Sequence, residues 1–307
     1  MRFKREALAY MGLLATFILW GSLYVASQIV MKELPTFTVA FLRFLLAWTF
    51  LTVLELFNKK TINPFSVYEN LKGDTKKYVW ILGFFGYTLS VGVQLLGTRL
   101  AGSTTASLIN STNPVTITLM AALILKEGLK PNKIVGILLA LVGVYFIIGG
   151  DTQINILGAS LSVLAVFGWS FVSVITRRAS KFLSPLQITR HAVGIAAFCN
   201  IPICIAEILI TGWQPHLSLS AILCLIYMGV CCTGVTYVLW NRSLSILPAS
   251  NCSAFYPLQP LTSALLGIVV FKERLTLAFL TGGLLIVIGI LICLLGDRIR
   301  QRTITKK

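Results

Sequence analysis

Two stretches decide the fold. The first is Asn113-Pro114-Val115-Thr116, leading to Leu125-Lys126-Glu127-Gly128-Leu129. The second is Gln259-Pro260-Leu261-Thr262, leading to Phe271-Lys272-Glu273-Arg274-Leu275. They lie 146 residues apart, and the same offset pairs Gly83 with Gly229, Ser107 with Ser253, Gly136 with Gly282 and Gly143 with Gly289, without a gap. Shared hydrophobicity supplies leucine matches. It does not supply a proline, a Lys-Glu pair and several glycines in register. The chain therefore reads as a duplication, with residues 1–151 and 152–307 as its two units.

What each unit is follows from composition. Apolar residues make up 56% of the 307 positions and charged residues 12%, too few to cover a water-facing exterior. A hydrocarbon core needs roughly 20 apolar residues of helix. Such runs lie near 8–29, 36–57, 78–98, 103–125 and 132–150, then near 155–177, 186–210, 218–240, 249–271 and 277–296. None alternates as a barrel strand would. The expected fold is all-α and integral to a membrane, with ten transmembrane helices in two five-helix repeats. The first run is long and lacks a small-residue cleavage site, so it reads as a span and not as a signal peptide.

An odd number of spans per unit forces the second unit to insert upside down. Charge agrees. With both termini placed in the cytoplasm, 20 of the 26 Lys and Arg fall in inside segments and four outside, leaving Arg43 and Arg190 within spans. Basic residues gather on the cytoplasmic side, so the +16 net charge is read as topogenic. No nucleic-acid partner is expected. The location implied is a bacterial-type inner membrane, multi-pass, with the lipid bilayer and a small-molecule substrate as partners. Inverted repeats suit alternating access, because exchanging the conformations of the halves turns a cavity from one side to the other.

With two histidines and no CxxC pair, no metal site and no cofactor are expected. The seven cysteines all fall in predicted spans and read as small packing residues. A nucleotide-binding loop, a Ser/Lys pair or a paired Asp site is also missing, which argues against an ATPase or an intramembrane enzyme and leaves a carrier ahead of a channel.

The layout resembles the drug/metabolite transporter superfamily, in particular its EamA-type ten-helix exporters. The residues that carry the resemblance are Trp20-Gly21-Ser22, with Trp169-Ser170 as the echo, Arg43 in Phe41-Leu42-Arg43-Phe44, and the duplicated Pro and Lys-Glu motifs quoted above. What the resemblance implies is a central cavity and export of amino acids or related amphiphilic metabolites. An uptake carrier or exchanger for nucleotide-sugar or sugar-phosphate solutes is the alternative.

Arg43 lies about seven residues into its span, roughly 10 Å deep, where a charge turns toward protein or a wet cavity. Two readings stand side by side: a contact for a substrate carboxylate or phosphate, or a brace to Glu55 or backbone carbonyls. Arg190, shallower, is expected to snorkel to the cytoplasmic interface. It also reads as the counterpart of Arg43, at an offset of 147. Asn110, Asn113, Tyr256 and Gln259 place polar groups on the fourth and ninth spans. Pro114, Pro257 and Pro260 free carbonyls there and are expected to break or gate those helices. Trp20, Tyr24, Tyr87, Trp169, Tyr237 and Trp240 lie at mid-span and are expected to wall the pocket. Glu127 and Glu273 are expected to fix helix ends. The glycine pairs 136/143 and 282/289 each share a helix face, as a packing seam, a hinge or a homodimer contact.

Overall fold

The computed structural model describes residues 2–57, 73–110, 112–126, 128, 130–148, 155–214, 216–271 and 277–304. All regular structure among them is helical. Helix α1 spans Arg2–Val30 and α2 Thr36–Phe57. Helix α3 runs Gly73–Trp80, widens into a π-helical segment at Ile81–Ser90, and continues as Val91–Asn110. Then follow α4 (Asn113–Leu125), α5 (Pro131–Ile148), α6 (Ile156–Ala179) and α7 (Pro185–Thr211). Helix α8 runs Leu219–Gly229, a π-helical segment Val230–Val235, and Thr236–Ile246. Helix α9 comes in two pieces, Ala249–Ser253 and Leu258–Phe271, and α10 spans Leu277–Ile304. The second π segment falls inside the image of the first at the 146-residue offset.

The helix ends are set by local chemistry, which matters where water is scarce. Asn155 caps α6 by accepting from the Gly158 amide at 2.9 Å. Ser184 and Gln187 form a reciprocal capping box at α7, with Pro185 in its first turn. Gly212 closes α7 in the left-handed region, at φ 60°. Lys126 does the same for α4 at φ 56°, a conformation that costs a side chain. Glu127, Lys272 and Glu273, the rest of that duplicated motif, lie outside the described residues, as do the side chains of Ser103 and Ser107.

Among the described residues, six helical stretches are long and apolar enough to cross a membrane: 5–27, 36–57, 75–101, 156–179, 185–211 and 219–246. Three more apolar helices are shorter, 113–125, 131–143 and 280–292. The protein is thus an all-α, multi-pass membrane protein, with six of the ten expected spans long enough by themselves. The fourth and ninth fall short because their helices break, α4 beginning afresh at Asn113 and α9 at Leu258 after the turns of 254–257. Pro114 sits at the second residue of the restarted α4, and Pro257 and Pro260 flank the restart of α9. Proline is tolerated at those first-turn positions because no intrahelical amide bond is lost.

Contacts recur in pairs. A Cβ on Gly143 would meet the Gly282 carbonyl at 2.5 Å, and one on Gly289 would meet the Gly136 carbonyl at 2.5 Å. The four glycines therefore let α5 and α10 touch backbone to backbone within one chain, and this seam is not a face left for a second copy. Gly83 packs on Ile195, as Gly229 packs on Leu46. Gly21 packs on Thr262, while Ser170 bonds Thr116 at 2.6 Å. Those last two pairs relate the first two helices of each half at an offset of 149, not 147. Arg43 then corresponds to Ala192, and Arg190 to Phe41. Two residues of slip turn a side chain by about 200°, which separates the surroundings of the two arginines.

The α2–α7 pair is antiparallel. Thr38 meets Glu207 at one end, Trp48 meets Gly194 midway, and Glu55 meets Arg190 at the other. We call the end at which α1 begins the basal end. There Ser243 bonds the Ala9 carbonyl at 3.0 Å, Arg177 reaches the Leu244 and Leu247 carbonyls, and Arg178 donates to the Ile124 carbonyl at 2.8 Å. At the distal end, Glu33 takes the amide and hydroxyl of Ser218, each at 2.7 Å.

Candidate functional site

A partly open cavity lies between α1, α2, α3, α4, α6, α8 and α9. Its polar lining is Arg43, Gln94, Asn110, Asn113 and Gln259; its walls are Trp20, Trp169, Tyr237 and Tyr256, with Leu23 and Ala165 completing it. Eight of the eleven residues expected to bind substrate thus come together. The other three stand one layer back. Tyr87 packs on Tyr237, with ring centroids 4.7 Å apart, and Trp240 on Trp20 at 5.7 Å. Tyr24 is buried with its hydroxyl facing Asn110 and Gln94, without an aligned bond to either.

The aromatic wall is rigid because its polar tips are tied. The Trp20 indole N–H donates to Thr236 Oγ1 at 3.0 Å and reaches the Cys232 carbonyl at 3.2 Å. The Trp169 indole N–H donates to the Tyr256 hydroxyl. Trp20 and Trp169 stand edge to face at 5.6 Å, and Tyr237 closes the group at 5.6 Å from Trp169. Such anchored rings give a flat apolar surface with fixed hydrogen-bonding rims.

Arg43 is 4% exposed. Its Nε donates to Thr233 Oγ1 at 2.5 Å and its Nη2 to the Tyr237 hydroxyl at 3.2 Å. Thr233 is held in turn by the π-helical segment of α8, where its hydroxyl donates to the Met228 carbonyl five residues back. A π turn leaves carbonyls free for such bonds and recurs at functional sites. Among the described residues no carboxylate pairs with Arg43. The brace to Glu55 expected as one reading is not made, because Glu55 binds Arg190 at 2.6 Å. Nor does Arg190 snorkel: it is 2% exposed.

Where α3 ends and α4 restarts, Asn113 Nδ2 donates to the Asn110 carbonyl at 2.7 Å, meeting a group the break would strand. The Asn113 Oδ1 is buried and without a hydrogen-bond partner among the described residues. The cavity therefore offers a guanidinium for an anion, amide oxygens for a cationic or hydroxyl group, and indole and phenol faces for an apolar body. No group of three or more His, Cys, Asp or Glu side chains gathers anywhere among the described residues.

The sequence reading missed Gln94, Leu23, Ala165 and Thr233. Gln94 lies at the helical interval from Tyr87 and was visible as a polar residue within an apolar run. Thr233, Leu23 and Ala165 carry no signal that separates them from ordinary packing residues.

The family model of the EamA-like transporter family matches this chain twice, over residues 7–149 and 156–295. The chain belongs to the EamA-like transporter family. An uncharacterized transporter of Archaeoglobus fulgidus is 26% identical over 277 residues, covering 90% of this chain and 95% of the relative. The uncharacterized transporter YetK of Bacillus subtilis is 24% identical, covering 96% and 89%. A protein of known crystal structure superposes with a TM-score of 0.75 at 20% identity, covering 96% of this chain and 99% of the other, and so shares its fold. As an EamA protein the chain is a secondary-transporter-like membrane protein and not an enzyme.

Proposed function

We propose that this EamA protein is a secondary carrier that exports small amphiphilic metabolites bearing a carboxylate, amino acids foremost, by alternating access. The observation that carries the reading is Arg43: a buried cation in the cavity wall, held by two neutral hydroxyls and by no carboxylate among the described residues. Burying such a charge is costly unless an anion completes it. The free Asn113 oxygen suits an ammonium, and the Trp20–Trp169 wall suits an apolar or aromatic side chain.

The moving parts are two inverted five-helix units, residues 1–151 and 152–307, working as ten transmembrane helices. The twofold family match, the reciprocal glycine contacts and the matched π segments support that reading. The prolines 114, 257 and 260 supply the breaks at which α4 and α9 bend as the cavity changes sides. Both termini lie in the cytoplasm of a cell with a bacterial-type inner membrane, which makes the basal end the inner one. The basal contacts support an inner side that is shut.

The test is counterflow of labelled amino acids in liposomes loaded with the unlabelled solute. Saturable exchange that falls about tenfold or more in Arg43→Ala is expected, from the loss of a charge-assisted bond. Flux that never saturates points to a channel, and flux of sugar phosphates alone points to the exchanger.

A further inference from the structure

The break between α3 and α4 sorts donors from acceptors. The Asn110 carbonyl would look to the amide of residue 114, but that residue is a proline and has no N–H. Asn113 Nδ2 takes its place, donating at 2.7 Å. Asn110 Nδ2 likewise donates to the chain, to the Ala106 carbonyl at 3.1 Å. A backbone carbonyl only accepts, so these bonds fix which end of each amide is oxygen. The donors are committed to the chain and the oxygens are left over. Asn110 Oδ1 accepts from Asn113 Nδ2 at 3.3 Å, which uses one of its two lone pairs. Asn113 Oδ1 is buried with no partner among the described residues.

A third oxygen joins them from α1. Among the described residues the buried tyrosines are Tyr24, Tyr87, Tyr237 and Tyr256. Tyr87 accepts from Asn241 at 3.5 Å, Tyr237 from Arg43 at 3.2 Å, and Tyr256 from Trp169. The Tyr24 hydroxyl, which faces Asn110 and Gln94, has no aligned partner. A buried hydroxyl left in this way costs stability. Packing does not ask for it, since phenylalanine fills the same space.

The second half builds the matching corner differently. At the 146-residue offset Asn110 corresponds to Tyr256 and Asn113 to Gln259, and at 149 Tyr24 corresponds to Ser173. There the Tyr256 hydroxyl is taken by Trp169, and Ser173 donates to the Trp169 carbonyl at 2.9 Å. One side of the cavity is thus aromatic and tied, and the other holds unused acceptors. Acceptors select a donor. An ammonium brings three N–H groups, a hydroxyl one O–H and an alkyl group none. Among the described residues no carboxylate lines the cavity, so the ammonium is balanced by the carboxylate that the same solute carries to Arg43.

We propose that Tyr24, Asn110 and Asn113 form an ammonium subsite, and that Tyr24 is the residue by which the carrier tells an amino acid from the hydroxy or desamino acid of the same shape. The ammonium donates to the two asparagine oxygens and to the Tyr24 oxygen, whose own proton turns to Gln94. Tyr24 stands one layer behind Gln94 and Asn110 and comes within reach as Gln94 turns aside. Asn110 and Asn113 also hold the helix break, which leaves Tyr24 as the member that can be changed without moving the backbone.

The proposal rests on the reading of Arg43 as the carboxylate contact, so its test separates the two residues. Binding is measured by titration calorimetry on the full chain in detergent, at about pH 7, where the amino group is charged. The probes are leucine, methionine and phenylalanine, each beside its 2-hydroxy acid and its desamino acid. In the unaltered protein an amino acid is expected to bind about tenfold or more tightly than its two analogues. Tyr24→Phe is expected to cut that ratio to about threefold or less, with the desamino acid nearly unaffected and the unfolding temperature unchanged or higher. Arg43→Ala is expected to weaken amino and desamino acids alike. Equal affinities within every series overturn the proposal, as does a ratio that survives Tyr24→Phe. Weakening of all probes alike in Tyr24→Phe marks the hydroxyl as structural and overturns it too. If the acids bind through Arg43 with no preference for the amino group, the ammonium subsite falls and the carboxylate contact stands. A ratio that answers to Tyr24 while Arg43→Ala changes nothing does the reverse, and no binding of any probe removes both.

Discussion

Two arginines lie in the second helix of each half, both almost wholly buried, and they do opposite things. Arg190 meets a carboxylate at 2.6 Å and is complete within the fold. Arg43 meets a threonine and a tyrosine and borders an open cavity. A charge satisfied inside the protein braces it. A charge given only neutral hydroxyls is oriented, and its field is left for something that arrives. Residue type and depth are the same in both; the partner makes the difference.

The comparison breaks most sharply on stability. Arg190→Ala takes from the buried Glu55 the cation it meets at 2.6 Å and is expected to cost about 3–5 kcal/mol, read as a fall in unfolding temperature in detergent. Arg43→Ala removes a cation that has no counter-charge among the described residues and is expected to change that temperature little. Equal losses would show that the two arginines are both structural. Binding sharpens the contrast from the other side. Arg43→Ala is expected to weaken carboxylate ligands by about ten- to a hundredfold, and Arg43→Lys to recover only part of it, since Nε and Nη2 take two separate acceptors.

A smaller effect tests whether the halves are equivalent elsewhere. Gly143→Ala and Gly289→Ala each push a methyl against a backbone carbonyl at 2.5 Å. They are expected to cost a similar amount, about 1–3 kcal/mol, while Gly128→Ala, with nothing within 4 Å, is neutral. Thermal unfolding of the three variants checks it. Smallest is the distal turn. The Ser218 amide, then its hydroxyl, hold the Glu33 carboxyl below its usual value. That stabilises the fold above the unfolded carboxyl value of about 4.3 and is lost as pH falls through the lowered folded one. Glu33→Gln should be slightly less stable at neutral pH, with the gap closing in acid.

Much of this was legible in the sequence. Pro, Gly and Lys-Glu in register gave the match between α3–α5 and α8–α10, since each is chosen for backbone geometry and not for apolarity. Polar or aromatic residues at mid-depth gave eight of the cavity residues, because lipid tolerates few of either. The faces of α2 and α7 were not legible. Along α2, Leu51 is buried while Val53 and Leu54 are exposed, and lipid and core ask for the same residues. With no periodic contrast to fix rotation, a slip of two residues between Arg43 and Arg190 passed unseen, and with it the partner of Glu55. Tyr87 and Trp240 were placed at the right depth but one layer too far forward, for the same reason.

The aromatic wall has a practical consequence. Two of the chain's six tryptophans, Trp20 and Trp169, stand 5.6 Å apart across the cavity lining, with Tyr237 and Tyr256 beside them. Indoles this close share excitation, and whatever enters the cavity changes the polarity and quenching they experience. The protein is its own optical sensor: unlabelled solutes can be screened by emission intensity and near-ultraviolet dichroism, with the double variant Trp20→Phe, Trp169→Phe as the control.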